Sequence, residues 1–204
     1  MAIRNSSLSL FNHSEELFEY HLRIVPQEPC YSHVEVLKLN FEQRFGKTKY
    51  VRSKPHITIF DTKIYKEREQ KLISQLGQAL ETSAFNVQVI GIEGFRFNHV
   101  IYLNVAPNGV LQNQAQRLKE LFYAKLKLKK SSVMIIDKFH MTIAVADNSE
   151  QYQEAMQHLS SLEVNFEFPV QKFYLLKRKV GPFVTWTNCH EHVLHEEDKA
   201  QVKP

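Results

Sequence analysis

The tripeptide His-x-Thr occurs twice, as His56 and Thr58 in "KPHITIF" (54–60) and as His140 and Thr142 in "KFHMTIA" (138–144). An imidazole with an ordinary pKa of ~6.5 can be neutral or protonated near physiological pH, so a pair can act as base and acid. In cleavage of a phosphodiester, one histidine would take a proton from the attacking water or hydroxyl. The other would protonate the departing ribose oxygen on the far side of phosphorus. The Thr58 and Thr142 hydroxyls would donate to the non-bridging oxygens, where negative charge accumulates. No metal or other cofactor is required if these donors suffice.

Side chains alternate across a strand, so His56 and Thr58 share one face while Ile57 and Ile59 share the other, and Met141 and Ile143 likewise oppose His140 and Thr142. Ten histidines and seven threonines in 204 residues give only ~0.34 such tripeptides by chance, so two point to duplication. The surroundings agree. "LRIVP" (22–26) parallels "LNVAP" (103–107), and "LKLNF" (37–41) parallels "LKELF" (118–122), both at an offset of 81 against 84 for the histidines. An approximate two-fold is expected to bring the polar pairs to one cleft, superposing Leu22 on Leu103 and Phe41 on Phe122.

The elements that must position these residues follow from periodicity. A strand over 18–26 precedes a helix opened by a capping box at Ser32–Glu35, with Val34, Leu37, Phe41 and Phe45 as its apolar stripe and Gly46 as its stop. After the His56 strand, a helix is expected over 66–82 with Leu72, Ile73, Leu76 and Leu80 inward, then strands near 85–93 and 99–106. The second copy continues with a helix over 109–128, the His140 strand, a helix near 149–160 and strands near 163–168, 171–179 and 183–193. The expected fold is α+β, a single bilobed domain over 18–193 of two pseudo-symmetric β-α-β-α-β halves (about 18–98 and 99–193). Its mainly antiparallel sheets line a central cleft and its helices lie outside. Residues 1–17 are expected to form an N-terminal extension and 194–204 a polar tail.

Composition is that of a globular chain, 43% hydrophobic with a formal charge of +4, too small for a general nucleic-acid coat. The lysines of "AKLKLKK" fall at a helix end, where the dipole accounts for them. Two cysteines cannot make a disulfide framework, no apolar run reaches the ~18 residues that span a bilayer, and "MAIRNSSLSLFNHSEE" has no signal core, so a cytoplasmic monomer without membrane association is expected. "CHEHVLHEED" lacks the His-Glu-x-x-His spacing of zinc peptidases. Strand alternation also separates His195 from His190 and His192, so no metal is expected there.

The paired "HITI" and "HMTI", their spacing and the duplicated element order resemble the two-histidine (2H) phosphoesterase superfamily, in its bacterial 2′,5′ RNA ligase and cyclic phosphodiesterase branch. The resemblance implies metal-independent action on 2′,3′-cyclic phosphates or 2′,5′-linked RNA, including reverse ligation, with RNA ends or cyclic nucleotides as partners. It assigns His56, Thr58, His140 and Thr142 as catalytic. Several relatives carry a basic residue shortly after the second motif, where this chain reads "AVAD". Further substrate contacts would then fall to Arg52, Lys54, Lys138, Tyr174 and Arg178, the two lysines being equally explicable as solvated strand edges. Phe60 and Phe139, with Trp186, are the rings that could stack on a base, although core packing is the ordinary role of each. The alternative function is an RNA-end-binding module without turnover. A metal-dependent hydrolase using the C-terminal histidines is a third reading.

Overall fold

Each His-x-Thr strand is pinned by its apolar alternates. Ile57, Ile59, Met141 and Ile143 are all fully buried, which leaves His56, Thr58, His140 and Thr142 half-buried on the opposite side. The structure, a computed structural model, describes residues 16–80, 83–182 and 184–195. Its elements run β1 (Leu17–Ile24), α1 (Cys30–Phe45), β2 (Ile57–Tyr65), α2 (Glu69–Ala79), β3 (Phe85–Phe95), β4 (Val100–Val105) and α3 (Gly109–Glu120). There follow β5 (Val133–Ile135), β6 (His140–Val145), α4 (Ser149–Leu159), β7 (Asn165–Val170), β8 (Lys172–Lys179) and β9 (Thr187–Val193).

The strands form one antiparallel sheet in the order β7-β3-β4-β6-β2-β1-β8-β9, with β5 also paired to β2. That order is a palindrome of roles about the β6–β2 junction: motif strand, first strand of the repeat, then two outer strands on each side. The expected α+β architecture with antiparallel strands is present. Each lobe draws on both halves of the chain, since β3 pairs with β4 and β7, whereas β8 and β9 return to β1. The first helices cross over as well. α1 packs on β6, β7 and α4, and α3 packs on β5 and α2.

A bulge recurs at the same place in both copies. Along β2, Arg23 pairs with Thr58 but Leu22 pairs with Phe60, so Ile59 is the extra residue. Along β6, Tyr102 pairs with Thr142 but Ile101 pairs with Ala144, so Ile143 is extra. A bulge shifts the alternation by one, so that Ile59 and Phe60, or Ile143 and Ala144, are buried in succession. The bulges also fix the true equivalence of the first strands. Arg23 corresponds to Tyr102 and Ile24 to Leu103 by their ladder partners. The expected match of Leu22 to Leu103 is therefore displaced by two residues, which preserves the face but not the register.

Local signals fared unevenly. Asn108 and Asn148 cap α3 and α4, their side chains accepting from Leu111 and Gln151 N–H. The expected capping box is not formed, because α1 begins two residues before Ser32, whose N–H donates to the Glu28 carboxylate. The expected 66–82 helix is a 3-10 turn at Lys66–Arg68 followed by α2. The 109–128 helix widens into a π turn at Leu121–Lys125, where Leu126 N–H donates to the Leu121 carbonyl. At the other end of the chain, Leu194 is buried and His195 accepts from Ala84 N–H, so these two residues are built into the sheet.

Candidate active site

The junction between the lobes is a single strand pair, Ile57 opposite Met141. Both side chains point into the core, so the residues flanking them, His56 and Thr58 on one strand and His140 and Thr142 on the other, emerge together on the opposite face. Beyond this contact β2 turns to pair with β5 instead, and the two motif strands part. The four side chains thus sit where the two motif strands part.

Both imidazoles are held in the same way. His56 Nδ1 lies 2.7 Å from the Lys54 carbonyl and His140 Nδ1 lies 2.8 Å from the Lys138 carbonyl. A carbonyl only accepts, so Nδ1 carries the hydrogen in each ring and Nε2 is the free basic nitrogen. Among the described residues, neither Nε2 nor either threonine hydroxyl has a hydrogen-bond partner. The contribution of Lys54 and Lys138 here is a backbone oxygen two residues before each histidine.

The surroundings differ. His56 meets His21 edge-on at 5.3 Å between ring centres, and His21 Nδ1 lies 2.7 Å from Asp61. Trp186 lies 5.6 Å beyond, with the Arg178 guanidinium 4.5 Å over its ring. Burial lowers the His56 pKa to about 4, and the charges of His21, Arg23 and Lys38 act in the same direction against the Lys54 carbonyl. His140 instead rests against Tyr102 and Phe95, at 4.9 and 5.3 Å between ring centres. Lys138 lies over both rings and pairs with Glu93 at 2.7 Å, and Glu93 accepts from the Tyr102 hydroxyl at 3.1 Å. Burial lowers the His140 pKa too, opposed by the Lys138 carbonyl.

Two interior groups brace the site. Lys38, buried on α1, donates to Ser53 O and Oγ at 2.6 and 3.0 Å and to the Thr142 carbonyl at 3.2 Å. Burial brings its pKa down to about 8. Asp61 reaches the polar face because of the bulge at Ile59. Under unbroken alternation along β2 it would point inward with Ile57 and Ile59.

Of the further sequence candidates, Tyr174 sits beside Arg23 in the β1–β8 ladder, in the same row as Thr58. Arg178 covers Trp186 and is paired with Glu19. Arg52 is held outward by Glu42 on α1. Phe60 is a correction: it is fully buried, edge-to-face with Phe122 at 4.8 Å, because the bulge turns it into the core. Phe139 is likewise buried and forms the wall of a recess with Asn104, Asn108 and Asp137, so it offers no open face to a base. His21, Arg23, Tyr102, Glu93 and Lys38 were not anticipated. His21 and Arg23 had a legible signal, polar residues at every second position of an apolar strand, the same alternation that marks His56 and Thr58.

His192 contacts the Leu80 carbonyl, and among the described residues no three His, Cys, Asp or Glu side chains converge as metal ligands. No described helix is long and apolar enough to cross a membrane.

The family model described as the 2′-5′ RNA ligase superfamily matches residues 25–182. A Geobacillus kaustophilus protein named "Putative phosphoesterase" is 30% identical over 125 residues, 60% of this chain and 69% of that one. The fold resembles that of Escherichia coli LigT, crystallised with phosphate (TM-score 0.60, 13% identity, 89% of this chain and 99% of that one) and with 3′-AMP (TM-score 0.62, 11% identity, 89% and 100%). It also resembles TT0787 of Thermus thermophilus (TM-score 0.61, 14% identity, 88% and 99%).

Proposed function

Because the chain belongs to the 2′-5′ RNA ligase superfamily, a family of phosphoesterases, we propose that it is a metal-independent phosphodiesterase acting on 2′,3′-cyclic phosphates or 2′,5′-linked RNA and nucleotides, with ligation as the reverse reaction. The observation that carries this reading is the strand pair Ile57–Met141, which sets two carbonyl-anchored imidazoles with free Nε2 atoms on one face.

In hydrolysis, one Nε2 accepts a proton from water as its oxygen bonds to phosphorus. The P–O bond to ribose breaks, and the departing oxygen takes a proton from the other imidazole. Thr58 and Thr142 donate to the non-bridging oxygens. The environment favours His56 as the base of this direction, since burial and neighbouring cations keep it neutral down to about pH 4. His140, ringed by Tyr102 and Phe95 with the nearest lysine tied to Glu93, is the better place for an imidazolium and hence the acid. A bound phosphodiester anion raises the affinity of both rings for a proton, which helps the acid to be charged in the complex. Reverse ligation exchanges the roles.

The test is a panel of 2′,3′-cyclic nucleotides and of 2′,5′- and 3′,5′-linked dinucleotides, assayed with chelator present and scored for product isomer. Turnover of a cyclic or 2′,5′ substrate is expected. Tight binding of RNA ends without turnover would instead make the protein a binding module.

A further inference from the structure

Arg23 lies in β1 with Thr58 as its ladder partner on one side and Tyr174 on the other. Its neighbours in sequence, Leu22 and Ile24, are buried, so its side chain leaves the core on the face that carries His56 and Thr58. The guanidinium is half-buried, and its Nε is shut off from solvent yet has no hydrogen-bond partner among the described residues. Desolvation without a partner costs a charged donor dearly, so such a group persists where something else supplies the acceptor. Among the described residues no carboxylate does so. Asp61 is bonded to His21 and Glu19 to Arg178 and Lys63.

The other lobe sharpens the contrast. The ladder equivalent of Arg23 is Tyr102, which is bonded to Glu93. A duplicated site has therefore placed a guanidinium whose buried Nε–H lacks a partner among the described residues beside one threonine, and a carboxylate-linked phenol beside the other. We propose that Arg23 holds the non-bridging oxygens of the substrate phosphate next to Thr58, making the first lobe the anion-binding side of the cleft. This rests on the phosphodiesterase reading above. A guanidinium matches two phosphate oxygens at once and stays charged at every working pH. It also keeps His56 neutral, consistent with the direction of the His56 shift.

Inorganic phosphate is the probe. In wild-type protein, the Arg23 Nε–H resonance should move on titration with phosphate, and Arg23→Met should weaken phosphate binding by roughly 10- to 100-fold, the worth of a hydrogen-bonded charge. With substrate, Arg23→Met should lower kcat/KM, and Arg23→Lys should restore only part of it. An Arg23 Nε–H signal unmoved at saturating phosphate, or a folded Arg23→Met with wild-type phosphate affinity, overturns the assignment. The two failures are separable. A protein that binds phosphate through Arg23 but turns over no member of the substrate panel retains the anion site and loses the phosphodiesterase reading. A protein with full turnover and no dependence on Arg23 does the reverse.

Discussion

The two lobes carry the same motif, the same bulge and the same carbonyl clamp on Nδ1, but different neighbours. Around His56 stand an indole and three basic side chains: Trp186, His21 bonded to Asp61, Arg178 bonded to Glu19, and Arg23, whose Nε has no partner among the described residues. Around His140 they are aromatic rings and a closed Lys138–Glu93–Tyr102 network. What is shared is what positions a nitrogen and a hydroxyl. What differs is what sets charge. A symmetric scaffold thereby gives two chemically distinct halves, which a reaction needing one base and one acid requires.

The comparison breaks first at the histidines. His56→Ala and His140→Ala should each lower turnover by ~10²- to 10⁴-fold, measured as kcat on a 2′,3′-cyclic nucleotide. Loss confined to one of them would mean that the lobes do not share the work. Thr58→Ala and Thr142→Ala should lower the rate by up to ~10²-fold and leave the pH limbs in place, because hydroxyl donors stabilise charge without titrating. Phe60→Ala should cost ~3–5 kcal/mol in a denaturant melt, the effect of emptying a packed aromatic site. If Phe60 were a base-stacking platform, substrate affinity would fall and stability would hold.

Lys38→Met sharpens the contrast from within. Thr142 is braced through its carbonyl by Lys38, so the variant should lose rate through a displaced second motif. It should also lose a stability trend. Folded Lys38 releases its proton at about pH 8 and the unfolded chain at about 10.5. Between these values the unfolded state binds more protons, so wild-type stability gains a rising component with pH from about 8 to 10.5. Melts across that window should show the component in wild type and not in Lys38→Met. Arg52→Ala, which removes only an exposed pair with Glu42, is expected to leave KM and Tm unchanged.

The site's chemistry was legible in sequence because duplication exposes it: His56, Thr58, His140 and Thr142 repeat with their apolar alternates, and strand periodicity alone gives them a face. Phe60 was misplaced because a bulge at Ile59 has no local signature and inverts every position after it. The same bulge hid Asp61. The offset of 81 aligned Leu22 with Leu103 correctly as text, whereas hydrogen-bond register follows the ladder and shifts the match by two. β5 is three residues long and paired to β2, too short for periodicity to detect. The crossing of α1 and α3 between lobes was invisible because an apolar stripe says that a helix packs, not on which sheet. Lys38 looked like one more surface lysine on α1, and its burial depends on the arrival of Ser53 and Thr142 from elsewhere in the chain.

The division of labour between the lobes is tested most directly by kcat/KM against pH for a 2′,3′-cyclic nucleotide, with chelator present, in wild type and the two histidine variants. The base must be neutral, so the rate should rise through about pH 4, where His56 loses its proton. The acid must be charged, so it should fall as pH passes the His140 pKa, which burial holds below its ordinary value of ~6.5. A bell with its maximum on the acid side of ~6.5 is predicted, its rising limb absent in His56→Ala and its falling limb absent in His140→Ala. A single-limbed wild-type profile that neither substitution alters would contradict the assignment.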